Sequence, residues 1–80
     1  MTVRIVFLGK LADLAGEAER AVAGPLDWQG LLGELGESLA QAAQDERTRV
    51  AVDGALLADK TALSAAAGSE IALLPPVSGG

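Results

Sequence analysis

The 80-residue sequence predicts one α+β domain, a mixed sheet with one main helix packed on one face. Three observations carry that expectation. Apolar alternation of the strand type opens and closes the chain, at Val3, Ile5 and Phe7 and at Ile71 and Leu73. A helical stripe occupies the middle, with Trp28, Leu31, Leu32, Leu35 and Leu39 recurring at i, i+3, i+4, i+7 and i+11. Strands, then helix, then strands is the order of an α+β domain.

The elements follow in chain order. Thr2 to Leu8 is a strand closed by Gly9, with Val3, Ile5 and Phe7 on one face and Arg4, Val6 and Leu8 on the other. Lys10 to Ala15 is a short helical turn capped by Gly16. Glu17 to Ala23 is a second strand with a charged, exposed side, broken by Gly24-Pro25. Asp27 is an N-cap for the helix that follows. Gly30, Gly33 and Gly36 interrupt that helix and each costs about 1 kcal/mol against alanine, so it ends or bends near Gly36, with Ser38 to Gln44 as a separate turn. Arg47 to Val52 is a third strand, Asp53-Gly54 a two-residue hairpin turn, and Ala55 to Ala58 a short return strand. Asp59 to Gly68 is a loop, with room for a helical turn among the alanines. Ser69 to Leu74 is the last strand, and Pro75-Pro76 ends all regular pairing because proline has no N–H to donate. The first and last strands are the most apolar and are expected at the centre, parallel to each other. That arrangement is the ubiquitin-like β-grasp, expected over residues 1–76, with residues 77–80 as a flexible Gly-Gly tail.

Composition narrows the function. The chain has no cysteine and no histidine, so neither a thiol nucleophile nor a Ser-His-Asp triad can be built, and the commonest zinc ligands are missing. No metal site is expected. Six Lys and Arg against eleven Asp and Glu leave a net charge of −5, which disfavours nucleic acid. That charge suits a basic partner surface through steering, or serves plain solubility. No apolar stretch approaches the ~18 residues of a membrane span. The opening residues lack the layout of a signal peptide. The expectations are no membrane partner, a cytoplasmic location, and a chain that is not catalytic alone.

The remaining candidate is the end of the sequence, Leu73-Leu74-Pro75-Pro76-Val77-Ser78-Gly79-Gly80. Glycine without a Cβ can thread a narrow channel. Pro75 and Pro76 hold the base of the tail extended. Five extended residues reach roughly 17 Å, enough to enter a cleft while the domain stays outside. On the sheet face opposite the core, Val6, Leu8, Ala72 and Leu74, with Leu56 beside the hairpin turn, make an apolar patch. It is a docking surface for a partner, a face covered by a loop, or a set of ordinary surface side chains. Trp28 and Phe7 are read as core, and Lys10 and Lys60 as surface charges.

The Pro-Pro-Val-Ser-Gly-Gly ending, the opening strand with its Leu-Ala-Asp-Leu-Ala-Gly segment and the Val-Asp-Gly turn resemble the small subunit of molybdopterin synthase over nearly the whole chain. The resemblance implies a sulfur carrier of molybdenum-cofactor synthesis. An ATP-dependent activating enzyme would adenylate Gly80, and sulfur would replace the adenylate as a C-terminal thiocarboxylate. The large catalytic subunit would then take that sulfur for a cyclic pyranopterin precursor. Pro75, Pro76, Val77, Ser78 and Gly79 would thread the partners' active sites. No cofactor would be bound, and two small and two large subunits would assemble. Sister carriers for thiamine-thiazole, tRNA thiolation or cysteine synthesis share these features. A β-grasp interaction module with an inert tail is the alternative of another class.

Overall fold

A computed structural model describes residues 1–76 of the chain. The first strand, β1 (Thr2–Phe7), is followed by a six-residue helix, α1 (Lys10–Ala15), which Gly16 closes in the left-handed conformation. β2 (Glu19–Ala23) returns antiparallel to β1. A two-residue strand, β3 (Leu26–Asp27), leads into α2 (Trp28–Leu35) and α3 (Glu37–Gln44). The chain then forms β4 (Arg49–Val52), β5 (Ala55–Leu56), a 3-10 turn at Lys60–Ala62, β6 (Ser64–Ala65) and β7 (Glu70–Leu74). The main sheet runs β2-β1-β7-β4-β5, with β1 and β7 parallel and the other pairs antiparallel. This is the expected ubiquitin-like β-grasp sheet, with its two most apolar strands side by side.

The helices cover one sheet face. Val3, Ile5 and Phe7 of β1, Ile71 and Leu73 of β7 and Val50 of β4 meet Leu31 and Leu35 of α2 and Leu39 and Ala43 of α3, all of them buried. Trp28 and Phe7 belong to that core, as their spacing predicted. Asp27 caps α2 by accepting from the Gly30 N–H at 2.8 Å. A Cβ at position 30 would stand 3.0 Å from that carboxylate oxygen, so glycine leaves the cap room.

Three details depart from the sequence expectation. The apolar stripe is carried by two eight-residue helices, because Gly36 has φ +82 and ψ 170, which no helix can contain. Residues 38–44 are thus part of a full helix rather than a single turn, and Leu39 reaches the core from it. The pairing of β3 with β6, Leu26 opposite Ala65 and Asp27 opposite Ser64, was not expected, since two-residue strands show no periodicity. Several strand ends also shorten: β2 begins at Glu19, β4 at Arg49, and β5 stops at Leu56. Among the described residues no helix is long and apolar enough to cross a membrane.

Candidate functional site

The site is built around the C-terminal end of β7. This strand is the middle one of five, held by β1 on one side and β4 on the other. Two ladders fix its last residues: Leu73 stands beside Phe7 and opposite Val50, and Leu74 opposite Arg49. The Leu8 N–H extends the β1 side by donating to the Leu73 carbonyl at 3.3 Å. Pro75 and Pro76 follow directly, so the chain leaves the sheet from its centre and not from a frayed edge.

Gly9 sits against this exit. Its φ of +54 is paired with ψ −129, a combination other residues avoid. A Cβ there would stand 3.1 Å from Pro75 Cγ. On the other side, Arg47 and Arg49 line an open concavity together with Glu46, Pro75 and Pro76. The predicted Pro75 and Pro76 are therefore placed at a defined base. Val77, Ser78, Gly79 and Gly80, and the expectation of a flexible tail over 77–80, lie outside the described residues.

The predicted apolar patch is brought together by strand register. Val6 is level with Ala72, Ala72 with Ala51, and Ala51 with Leu56, which makes one apolar row across β1, β7, β4 and β5. Beyond it Leu74 faces Arg49, and Leu8 lies one residue past the Phe7–Leu73 pair. Leu8 is 41% and Leu56 63% exposed, while Val6, Ala72 and Leu74 are half-buried. Exposure on this face is therefore greatest at its two ends, Leu8 and Leu56, and Ala51 within the row is buried. Ala51 completes the row and was missed. Strand alternation puts Ala51 on the face opposite Val50 and Val52.

Charge frames the patch. Arg4 donates to Glu70 at the end of the sheet away from the tail, and this contact raises the Arg4 guanidinium above its ordinary value. At the tail end, Arg47 pairs with Asp45 at 3.3 Å. Hydrogen bonds from the Arg47 side chain and then its backbone N–H hold the Asp45 carboxyl below the usual carboxylate range. Lys60 donates to the carbonyls of Asp45 and Thr48, the latter at 2.9 Å, and so ties the 3-10 turn to the start of β4. Burial, as the largest cause, pulls the Lys60 ammonium below its ordinary value, and the positive charge of Arg49 adds to this. Thr48, buried just before β4, donates its hydroxyl to the Ala42 carbonyl near the end of α3 at 2.8 Å. Among the described residues no three acidic side chains come together as a metal site. What the arrangement offers is an apolar face, a firm strand end and a chain that continues past it.

Known proteins sharpen that reading. A model described as the ThiS family matches residues 5–80. SAMP1 from Haloferax volcanii is similar over all of both chains, at 27% identity and a TM-score of 0.71. So is a subunit in the complex of subunits 1 and 2 of the molybdopterin-converting factor from Helicobacter pylori, at 25% identity and a TM-score of 0.67, with full coverage of both chains. A putative molybdopterin-converting factor subunit 1 from Pyrococcus furiosus shares the fold at 18% identity and a TM-score of 0.70, with 96% of this chain and 99% of that one aligned. No curated protein sequence matches.

Proposed function

The chain belongs to the ThiS family, and from that premise we propose that it is the sulfur-carrying small subunit of a molybdopterin synthase, working through the carboxyl group of Gly80. The observation that carries the reading is the family match extending through Gly80, on a chain whose central strand passes directly into Pro-Pro-Val-Ser-Gly-Gly. A carboxylate is a poor electrophile, so activation comes first. A Gly80 oxygen attacks the α-phosphorus of ATP on the activating enzyme, and pyrophosphate leaves. A persulfide sulfur then attacks the acyl carbon and displaces AMP. A thiol cleaves the resulting S–S bond, becomes part of a disulfide, and releases the thiocarboxylate. In the large subunit that sulfur attacks a carbon of the cyclic pyranopterin precursor, the C–O bond at that carbon breaks and its oxygen leaves with the electron pair, and water then cleaves the remaining acyl–sulfur bond to restore the Gly80 carboxylate. Each turn delivers one sulfur atom, so a dithiolene takes two carriers.

The chain's own residues position and present. Pro75 and Pro76 keep the base of the tail extended, and Val77, Ser78 and Gly79 thread the partner's channel. The row Val6, Ala72, Ala51 and Leu56, with Leu8 and Leu74 beside it, packs on the large subunit. Burying such a face on a partner is the ordinary use of an exposed apolar patch. This chemistry needs ATP and reduced sulfur, which places the carrier in the cytoplasm.

The test is intact mass spectrometry after incubation with the activating enzyme, ATP and a sulfur donor, beside a version lacking Gly79-Gly80. Exchange of oxygen for sulfur has nearly the same nominal mass change as oxidation of Met1, so fragments must place it on Gly80. A tail-dependent change at Gly80 is expected, and its absence with an enzyme active on a control carrier refutes the proposal. The likeness to SAMP1, a protein described as a small archaeal modifier, favours a second reading, in which Gly80 is joined to amines of other proteins. That reading calls for tail-dependent conjugates in cell extract.

A further inference from the structure

Positive charge is scarce in this chain, six Lys and Arg against eleven Asp and Glu, and the fold distributes it unevenly. Arg4 pairs with Glu70, Arg20 with Glu17, and Arg47 with Asp45, while Lys60 is held by two carbonyls. Among the described residues that leaves Lys10 and Arg49 as the Lys and Arg side chains without an ion pair or a side-chain hydrogen bond.

Both flank the end of β7. Arg49 stands opposite Leu74 and lines the concavity that holds Pro75 and Pro76. Lys10 follows Gly9, which packs on Pro75 from the β1 side. The chain thus leaves the sheet between two unpaired cations, one at the start of α1 and one at the start of β4. Like charges at one end of a sheet repel, so the placement is not a stability device. Glu46 shares the concavity and offsets only part of the charge of Arg47 and Arg49.

We propose that Lys10 and Arg49 form a cationic collar at the base of the tail, which pairs with carboxylates around the mouth of the tail channel on the adenylating enzyme. The inference rests on the carrier reading above. Reach excludes the nucleotide as the collar's target. Six residues past Leu74 can span up to roughly 20 Å when drawn out into a channel, farther than an arginine side chain extends. The collar therefore meets the rim of the channel, while the tail end meets ATP. Rim ion pairs raise the encounter rate and fix register more than they deepen affinity. That suits an enzyme the carrier must leave after each charging. It also reconciles an acidic protein with a partner it approaches cation first, since the collar and not the net charge faces the channel.

The experiment is ATP–pyrophosphate exchange catalysed by the adenylating enzyme of the same genome, with wild-type carrier, Lys10→Glu, Arg49→Glu and the double variant. The neutral Lys10→Gln and Arg49→Gln serve if a reversal does not fold, and thermal melts check each protein. The double reversal is expected to lower kcat/KM at least about tenfold, through KM with kcat kept, and to flatten its dependence on ionic strength. Lys10→Arg and Arg49→Lys keep wild-type behaviour. Unchanged kcat/KM and salt dependence in folded variants overturn the collar, as does a loss confined to kcat or to binding of the large subunit. Wild-type carrier that supports no exchange, with an enzyme active on its control carrier, overturns the carrier reading and the collar with it.

Discussion

Leu56→Ala separates docking from folding. Leu56 is 63% exposed at the outer end of the apolar row, on the short strand β5. Its truncation therefore costs the free protein little, within about 0.5 kcal/mol for a surface change. The exposed fraction is what a partner can still cover. Burying a whole leucine side chain is worth about 1.5–3 kcal/mol, so the 63% that remains corresponds to about 1–2 kcal/mol of binding. At about 1.4 kcal/mol per tenfold, affinity for the large subunit falls roughly 5- to 30-fold. The assay is titration calorimetry against the large subunit, with urea unfolding of each variant alongside. Leu14→Ala is the matched control, because Leu14 is 53% exposed but sits on α1, away from the outer sheet face. It is expected to bind as wild type. Equal affinities for Leu56→Ala and wild type, or equal losses for both leucines, refute the assignment of the row as the docking surface.

Gly9→Ala puts a Cβ into a backbone conformation reserved for glycine and against Pro75, and is expected to cost about 1–3 kcal/mol in urea unfolding. Adding Pro75→Ala removes the contact but not the backbone strain, so the double variant recovers part of the loss and no more. Leu31→Ala empties a fully buried site at the centre of the core. Its cost of about 2–5 kcal/mol is a large share of the roughly 4–12 kcal/mol expected for a chain of this length, and circular dichroism would show a much lower melting temperature. Acid stability follows from Asp45 and Asp59. Hydrogen bonds from the Arg47 side chain and backbone depress the first, and those from the Thr61 hydroxyl and N–H depress the second. A carboxyl depressed in the fold stabilises it above its unfolded pKa of about 3.9, and that contribution is lost as pH falls through the folded value. Melting temperature should therefore drop below pH ~4. Asp45→Asn and Asp59→Asn should each flatten that drop, and an unchanged slope in both would refute the assignment.

The sheet was legible because its core residues obey one period per element. Val3, Ile5 and Phe7 fill the helix-covered face, as do Ile71 and Leu73, and alternation alone gives that register. The Asp27 cap and the Asp53-Gly54 turn were legible for a similar reason, since each depends on local chemistry. The ribbon of β3 and β6 was not, because Leu26 and Ala65 are brought together only by tertiary packing. Nor was the role of Gly9. A glycine after a strand reads as a stop, and its contact with Pro75, distant in sequence, exists only once β1 and β7 lie parallel. Lys10 read only as a surface charge and Arg49 was not singled out, for the same reason, and the fold makes them neighbours of one exit.

That parallel pairing has a mechanical consequence for a carrier. A tail that leaves an edge strand is anchored by one ladder, and edges are where sheets fray. Here β7 is held by β1 up to Leu73 and by β4 up to Leu74, and the next two residues are prolines, one of them packed on Gly9. Ladder and prolines together fix the direction in which the chain sets out, at the level of Pro75 and Pro76. A partner that recognises the outer face thereby also fixes where the tail enters, because Leu74 belongs to both the face and the exit. A chain without cysteine or histidine does not need to supply chemistry under that division of labour. In the proposed carrier role it needs only to present one carboxyl group at a reproducible place, and a doubly paired central strand is the part of a small sheet best able to do so.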